Sequence, residues 1–236
     1  MKIFYDIDTQ NDFMNKDGTL YVPNAELIKP NLKLLTDYAQ WEHRKDIPII
    51  GSLDRHFGTE KYKHREGELQ RWGGPFPDHC MVFTEGEEKI PETAIAYKID
   101  GKGAIMPKDY YPPHNLNEKV DKKYIQEGIK EVISSKYGKA GVYFEKQSYN
   151  IFTNPSFEYF LKKADVTEAV VYGVAIDYCV KDAVIGMQER GIQTYVVEDA
   201  IAGVAEDTTK QALKEMKDAG AKFITTKEVL EDKLRW

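Results

Sequence analysis

The chain has 236 residues, of which 42% are hydrophobic and 31% are charged. This length supports one sizeable hydrophobic core and is short for two full domains, so we predict a single domain over residues 1–236. A formal net charge of −6, without a concentrated basic stripe, argues against nucleic acid as a partner. Two cysteines form no disulfide framework, and no apolar run approaches the length of a membrane span. We therefore expect a cytoplasmic protein that has no signal peptide and does not bind a membrane.

Short apolar runs alternate with amphipathic segments along the chain. In order, the patterns predict a strand at 2–8, a helix at 27–43, strands at 47–53 and 141–145 with a helix near 121–135 between them, a short helix after Pro155, a strand at 169–173, a helix from Cys179 to Gly191, a strand at 194–197, a helix at 207–218 and a strand at 222–225. This alternation is typical of a parallel sheet covered on both faces. We predict an α/β fold with three α/β/α layers and a mainly parallel, doubly wound sheet of about six strands.

Residues 84–122 are predicted to be an extended insertion in this domain. Part of the stretch shows no clear periodicity, and long irregular segments in compact domains are typically active-site flaps, oligomer contacts or mobile insertions. We expect the protein to form a homo-oligomer.

One cysteine, Cys179, stands where a predicted strand gives way to a predicted helix. The strand has the β-branched content of a buried element, and apolar residues at helical spacing follow the thiol, with Asp177 as a candidate cap. Unpaired N–H groups in a first helical turn favour an anion, although they supply only part of what a thiolate needs. From this segment alone, a buried structural cysteine is an equally good interpretation.

Polar residues follow four of the predicted strands. Asp8 closes the first strand, Asp54 and His56 follow the second, Lys146 follows the strand at 141–145, and Cys179 follows the strand at 169–173. Each has an ordinary explanation alone, such as a turn cap for Asp8 or surface exposure for Lys146. Parallel α/β sheets bind ligands beyond the carboxyl ends of their strands, so the shared placement predicts one functional site at that edge.

The alternate spacing of Asp54 and His56 projects both side chains to one side of an extended segment. A carboxylate and an imidazole in this arrangement suit a divalent ion, with zinc preferred over iron or manganese. A further ligand is needed, and the candidates are His79 and His64. We predict that Asp54, His56 and His79 bind one metal ion, and His64 stays open as an extra ligand.

Five segments carry a family resemblance. They are DIDTQNDF at 6–13, LDRH at 53–56, FPDHC at 76–80, EKQSYNIF at 145–152 and GVAIDYCV at 173–180. In this order they resemble the motifs of the isochorismatase-like cysteine hydrolases, and among these the metal-containing nicotinamidases, also called pyrazinamidases. One departure is Phe76, which stands where the family usually has the tryptophan of a WPxHC motif.

The resemblance implies a catalytic triad of Asp8, Lys146 and Cys179. It also implies a cis peptide bond between Val174 and Ala175, with the backbone N–H groups of Ala175 and Cys179 forming an oxyanion hole. The implied reaction is hydrolysis of nicotinamide to nicotinate and ammonia through a cysteine thioester.

The resemblance also implies an aromatic substrate pocket and the same three metal ligands. Phe13 matches a pocket wall, and Trp72, Phe76, Tyr149 and Tyr178 are further candidate lining residues. A small carboxamide is thus the expected partner, and the metal would orient its ring. Alternative functions are hydrolysis of a carbamoyl or ureido compound, cleavage of isochorismate, and binding without catalysis. The metal ligands count against isochorismatase, since cleavage of a vinyl ether needs no metal-bound ring nitrogen.

Overall fold

The computed structural model describes residues 1–40, 47–94, 104–106 and 142–231. Within these ranges, seven strands form one sheet in which all strand pairings are parallel. The strands are β1 (Lys2–Ile7), β2 (Ile49–Asp54), β3 (Ala104–Met106), β4 (Val142–Lys146), β5 (Glu168–Val174), β6 (Gln193–Ala202) and β7 (Lys222–Ile224). Their order in the sheet is β3-β4-β2-β1-β5-β6-β7, which places β1 at the centre.

Six described α-helices accompany the sheet. They are α1 (Asn11–Met14), α2 (Ala25–Gln40), α3 (Pro155–Lys163), α4 (Lys181–Gln188), α5 (Glu206–Asp218) and α6 (Thr226–Leu230). A π-helical turn at Ile176–Val180 leads directly into α4. None of the described helices combines the length and apolar character that crossing a membrane requires.

The helices cover both faces of the sheet. One apolar core packs Tyr5 of β1 against Phe157 of α3 and Val184 of α4. The core on the opposite face packs Phe4 of β1 with Leu32 of α2. Successive residues of β1 therefore enter different cores, as expected for a strand buried on both faces. The predicted three-layer α/β/α fold is confirmed.

The structure departs from the sequence-based expectations at two points. The short edge strand β3, inside the predicted insertion at 84–122, makes seven strands rather than about six. The helix predicted to begin at Cys179 instead starts with the turn Ile176–Val180, and the Asp177 carboxylate caps a different helix, α5. The predicted helix near 121–135 and most of the insertion lie outside the described residues. The single domain and the homo-oligomer stay predictions.

Gly173 allows the end of β5 to approach β1 closely. Its φ is +120°, and a Cβ atom at this position would lie 2.1 Å from the backbone oxygen of Ile7, its partner in the β1–β5 ladder. An L-residue fits neither this conformation nor this space. The contact also fixes where the chain leaves β5 for the turn that contains Cys179.

We expect Gly173→Ala to lower the free energy of unfolding by roughly 3 kcal/mol or more. Gly191→Ala is the matched control, because Gly191 also has a positive φ, +74°, but a Cβ atom added there would meet no atom within 4 Å. Left-handed backbone alone should cost about 1 kcal/mol there. Urea denaturation of both variants measures the difference, and equal losses would contradict the close approach to Ile7.

Candidate active site

Three buried polar side chains meet at the carboxyl edge of the central strands. Asp8 directly follows β1, Lys146 ends β4, and Cys179 lies in the turn after β5. The Lys146 ammonium nitrogen is 2.8 Å from Asp8 Oδ2 and 3.4 Å from Cys179 Sγ. None of the three residues is more than 8% exposed. The structure thus brings together the three residues that the strand-end pattern and the family resemblance selected.

Ser52 of β2 holds the Asp8 carboxylate from a second side. Its hydroxyl donates a hydrogen bond of 2.7 Å to Asp8 Oδ1, and its carbonyl accepts the Asp8 N–H at 3.3 Å. Asp8 itself has a positive φ of 48°. Sequence reasoning missed Ser52, although its spacing of two from Asp54 in a strand was a signal that both side chains face the same side.

Burial and two carboxylates disfavour ionisation of the thiol. Burial raises the pKa of Cys179 well above its usual range, and although Lys146 opposes this shift, the Asp8 and Asp54 carboxylates add to it. Burial alone would lower the pKa of Lys146, but Asp54 and Asp8 raise it well above its usual range. The surroundings therefore favour the neutral thiol and the charged ammonium, with the Asp8 carboxylate beside them as a candidate proton acceptor.

A second group of side chains beside the thiol has the composition of a metal centre. One ligand atom from each of Asp54, His56, Glu68 and His79 lies within 4.8 Å of the others. His79 Nε2 is 3.1 Å from Asp54 Oδ2, and His56 Nε2 is 3.0 Å from Glu68 Oε1. Two imidazoles and two carboxylates suit zinc, iron or manganese, so these residues fit the expected divalent ion.

A backbone carbonyl orients the imidazole of His79, and a fixed carboxylate lies near Nδ1 of His56. His79 Nδ1 is 2.8 Å from the carbonyl oxygen of Pro77, which favours a proton on Nδ1 and leaves the Nε2 lone pair for a metal. His56 Nδ1 is 4.0 Å from Glu66 Oε1. The Glu66 carboxylate is itself fixed by the backbone N–H groups of Phe57 and Gly58. Both Nε2 atoms therefore face the two carboxylates.

The electrostatics of the cluster favour a cation. Burial would raise the pKa of Asp54, but Lys146 and His56 hold it well below its usual range. Burial would likewise lower the pKa of His56, but Asp54 and Glu68 raise it to about 10. A proton on His56 competes with a metal for the same nitrogen, so metal affinity should fall as the pH falls.

The fourth member of the cluster differs from the sequence-based candidate. His64 is exposed and is not part of the cluster, whereas Glu68 is largely buried with its carboxylate against His56. No pattern in the charged stretch from 61 to 70 distinguishes Glu68 from its neighbours, and only the chain path brings it to the histidines.

We expect Glu68→Gln to weaken metal binding by about 10- to 100-fold, because it removes a charged oxygen ligand. His64→Gln is the control, since it changes an exposed side chain four residues away and should leave affinity unchanged. Competition with a chromophoric chelator at fixed pH, using zinc as the probe, gives both affinities. Loss of zinc binding in the His64 variant with retention in the Glu68 variant would contradict this assignment.

Gln10 and Asp12 of the first motif support the metal ligands rather than the thiol. The Gln10 side chain donates to the carbonyl oxygen of Asp54 at 2.7 Å and accepts its N–H at 2.8 Å, so it holds both backbone groups of this residue. Asp12 Oδ2 accepts the N–H of Cys80 at 2.7 Å, which fixes the chain directly after His79. These two side chains therefore fix the backbone of Asp54 and the backbone next to His79.

A pocket of about 490 Å³, measured with its open mouth, joins the two groups. Its walls include four of the five predicted aromatic residues, namely Phe13, Phe76, Tyr149 and Tyr178. Trp72 is not among these lining residues; it ends the short 3₁₀ turn Gln70–Trp72, and its indole N–H donates to Glu66 Oε2 at 3.4 Å.

Phe76 occupies the wall beside the metal ligands. Its ring centroid is 6.3 Å from that of His79 and 5.7 Å from that of Tyr178. Five further residues line the pocket and were not predicted to do so, namely Leu20, Tyr21, Val22, Val174 and Val204. No lysine or arginine lines the pocket within the described part of the chain. The pocket is therefore suited to a neutral, flat ring.

The peptide bond between Val174 and Ala175 is cis, which confirms the expectation drawn from the family resemblance. Ala175 lines the pocket together with Cys179. Their backbone N–H groups are the predicted oxyanion hole, and this role stays a prediction.

This fold and this site define a hydrolase of the three-layer α/β class. The chain belongs to the isochorismatase family, because the model of the isochorismatase domain matches residues 107–228.

Several characterised proteins are similar to this chain. The nicotinamidase of Saccharomyces cerevisiae is 25% identical over an alignment of 217 positions, which covers 83% of this chain and 85% of that protein. The fold is shared with the pyrazinamidase of Pyrococcus horikoshii in complex with zinc, at a TM-score of 0.66 and 21% identity over 95% of this chain and 98% of the other. The pyrazinamidase/nicotinamidase of Streptococcus mutans gives a TM-score of 0.67 and 22% identity, covering 95% and 100%.

Proposed function

We propose that the protein is a nicotinamidase that hydrolyses nicotinamide to nicotinate and ammonia through a thioester on Cys179. The observation that carries the proposal is the pocket, which has the Cys179 thiol and Ala175 on its wall together with the metal ligands Asp54 and His79. A pyridine carboxamide has its reactive carbon and its ring nitrogen at different ends, as this arrangement requires. The similar nicotinamidase of Saccharomyces cerevisiae supports the same reaction.

The first half of the reaction forms the thioester. The Cys179 proton moves to the Asp8 carboxylate while Sγ attacks the carboxamide carbon, and Lys146 stabilises the negative charge that forms on sulfur. The N–H groups of Ala175 and Cys179 bind the oxygen of the tetrahedral intermediate. The carbon–nitrogen bond then breaks, Asp8 returns the proton to the departing amine, and ammonia leaves.

Water completes the cycle. Asp8, again a carboxylate, takes a proton from a water molecule that attacks the thioester carbon. The carbon–sulfur bond breaks, the proton returns to sulfur, and nicotinate is released. Asp8 therefore serves as base and acid in both halves, which requires no histidine near the thiol.

The metal centre would position the substrate ring. Asp54, His56, Glu68 and His79 would hold one divalent ion, with zinc as our preferred candidate. The ion supplies a Lewis-acid site for the ring nitrogen, as the family resemblance implies. Phe13 and Phe76 flank His79, with ring centroids 5.5 Å and 6.3 Å from its own, and would sandwich the substrate ring.

The alternative substrates fit this pocket less well. The described lining offers no lysine or arginine to pair with the carboxylates of isochorismate or of most ureido compounds, which leaves only the metal ion to neutralise them. A binding protein without turnover would have no use for a buried thiol beside an ion pair of Asp8 and Lys146, which is costly to bury.

The proposal is tested by measuring ammonia release from nicotinamide. The assay compares protein loaded with zinc and protein stripped of metal with a chelator. Benzamide is the matched control substrate, because it has the same shape but lacks the ring nitrogen. We expect release from nicotinamide by the loaded protein and far less from benzamide or after stripping. No release from nicotinamide by the loaded protein would overturn the proposed substrate.

A further inference from the structure

Asp177 links the turn that carries Cys179 to a distant part of the chain. It is only 6% exposed, and its carboxylate reaches the segment after β6. Oδ1 accepts the N–H of Val204 at 2.9 Å, and Oδ2 accepts the N–H of Ala205 at 3.2 Å and the Thr208 hydroxyl at 2.6 Å. Three hydrogen bonds therefore join the nucleophile turn to the start of α5.

Helix α5 has no capping side chain of its own. Its N-cap residue is Ala205, whose methyl group accepts no hydrogen bond from the first turn. Asp177 instead binds the helix start from another element, through the N–H of the N-cap residue Ala205 and the hydroxyl of Thr208, and its negative charge suits the positive end of the helix. The position of this helix start therefore depends on the nucleophile turn.

Val204 stands at the mouth of the substrate pocket. It lines the pocket together with Tyr178 and Cys179, and it is 38% exposed, as expected for a residue at the rim. The preceding Gly203 packs closely on α5, since a Cβ atom there would lie 2.0 Å from Thr209 Oγ1. The rim segment 203–205 therefore continues from the end of β6 and is held by α5 and by Asp177.

We infer that Asp177 is a positioning residue that fixes the pocket rim to the nucleophile turn and so keeps the mouth above Cys179 narrow. Asp177 touches no reacting atom in this role. Its effect is on which molecules reach the thiol and on how tightly a substrate is enclosed. The kinetic part of this inference rests on the proposed function, whereas access to the thiol does not.

A substitution that caps α5 locally can separate the positioning effect of Asp177 from its effect on the stability of α5. Asp177→Ala removes all three hydrogen bonds, and Ala205→Ser adds an N-cap hydroxyl to α5 without restoring the link to the nucleophile turn. The comparison uses the wild type, both single variants and the double variant. Urea denaturation reports stability, and KM and kcat for nicotinamide report enclosure and chemistry.

Access to Cys179 is measured by alkylation with a small reagent, iodoacetamide, and a bulky aryl maleimide. The ratio of the two rates cancels the thiolate fraction, because both reagents attack the same thiolate. Peptide mass spectrometry identifies the modified residue. Cys80 is completely buried and serves as the internal check that the protein stays folded.

We expect Asp177→Ala to lower the urea midpoint. We also expect it to raise the ratio of the bulky to the small alkylation rate by about fivefold or more, which corresponds to a shift of about 1 kcal/mol in the equilibrium between closed and open positions of the rim. Ala205→Ser in the double variant should restore the midpoint but leave the ratio and KM raised. An unchanged ratio in the single variant, or a wild-type ratio in the double variant, would overturn the inference. If Asp177→Ala does not fold, Asp177→Asn takes its place. If nicotinamide is not hydrolysed, the alkylation ratio still decides.

Discussion

Replacement of Cys179 by alanine is expected to abolish ammonia release from nicotinamide, with a fall in kcat of roughly 10⁴-fold or more. The variant keeps the pocket, the metal ligands and the Asp8–Lys146 pair but has no atom to form the thioester. The side chain is small and lies at a pocket wall, so the free energy of unfolding and zinc affinity should change little. Steady-state ammonia assays, urea denaturation and zinc titration of the same preparation test these expectations.

Cys80→Ala is the control for this experiment. Cys80 is the other cysteine, is completely buried and contributes to the site only through its backbone, whose N–H donates to Asp12 Oδ2 and whose carbonyl accepts the N–H of His56. The control should keep most of the activity. Rapid acid quenching of the wild type should also trap one nicotinoyl group on the peptide that contains Cys179. Substantial turnover by Cys179→Ala, or a nicotinoyl group on another residue, would contradict the proposed nucleophile.

Asp8→Asn should separate the reactivity of the thiol from turnover. We expect kcat to fall by roughly 10²- to 10⁴-fold, because an amide neither takes the thiol proton nor returns it to the departing amine. Alkylation of Cys179 by iodoacetamide near neutral pH should instead become faster. Asp8 raises the pKa of the thiol, so its neutralisation leaves Lys146 to favour the thiolate and lowers that pKa.

The matched control for Asp8 is Ser52→Ala. This variant removes the hydrogen bond to Asp8 Oδ1 and keeps the carboxylate beside Lys146. A loss of about tenfold in kcat, with little change in alkylation, is expected from a looser base. Slower alkylation in Asp8→Asn, or equal losses in both variants, would show that the carboxylate acts by holding the structure together rather than by moving protons.

The fold was largely predictable because its core strands are buried on both faces. The predicted strand at 47–53 is observed at Ile49–Asp54, and the helix predicted after Pro155 is observed at Pro155–Lys163. The strand Ala104–Met106 was missed because three residues in an irregular stretch carry no periodic signal, and its pairing with β4 defines it. The exact course of the turn at Ile176–Val180 was also beyond a pattern of apolar residues.

The site was predictable where residues end strands. Asp8, Lys146 and Cys179 follow different strands, and parallel topology brings such positions together. Glu68 comes instead from a segment without strands, and no spacing rule indicates where such a segment travels. Trp72 lies outside the observed pocket lining for the same reason, since proximity to the FPDHC motif in sequence gives no information about the direction of the turn that carries it.

The central place of β1 bears on how the chain is made. β1 pairs with β2 on one side and, on the other, with β5, residues 168–174, which leaves the ribosome much later. The two cores that contain Tyr5 and Phe4 can therefore form completely only after most of the chain has been synthesised. Parallel pairing of strands so far apart in sequence is slow to form. A shortened product that ends before β5 accordingly lacks both the second neighbour of β1 and Cys179, and it cannot contain a working site.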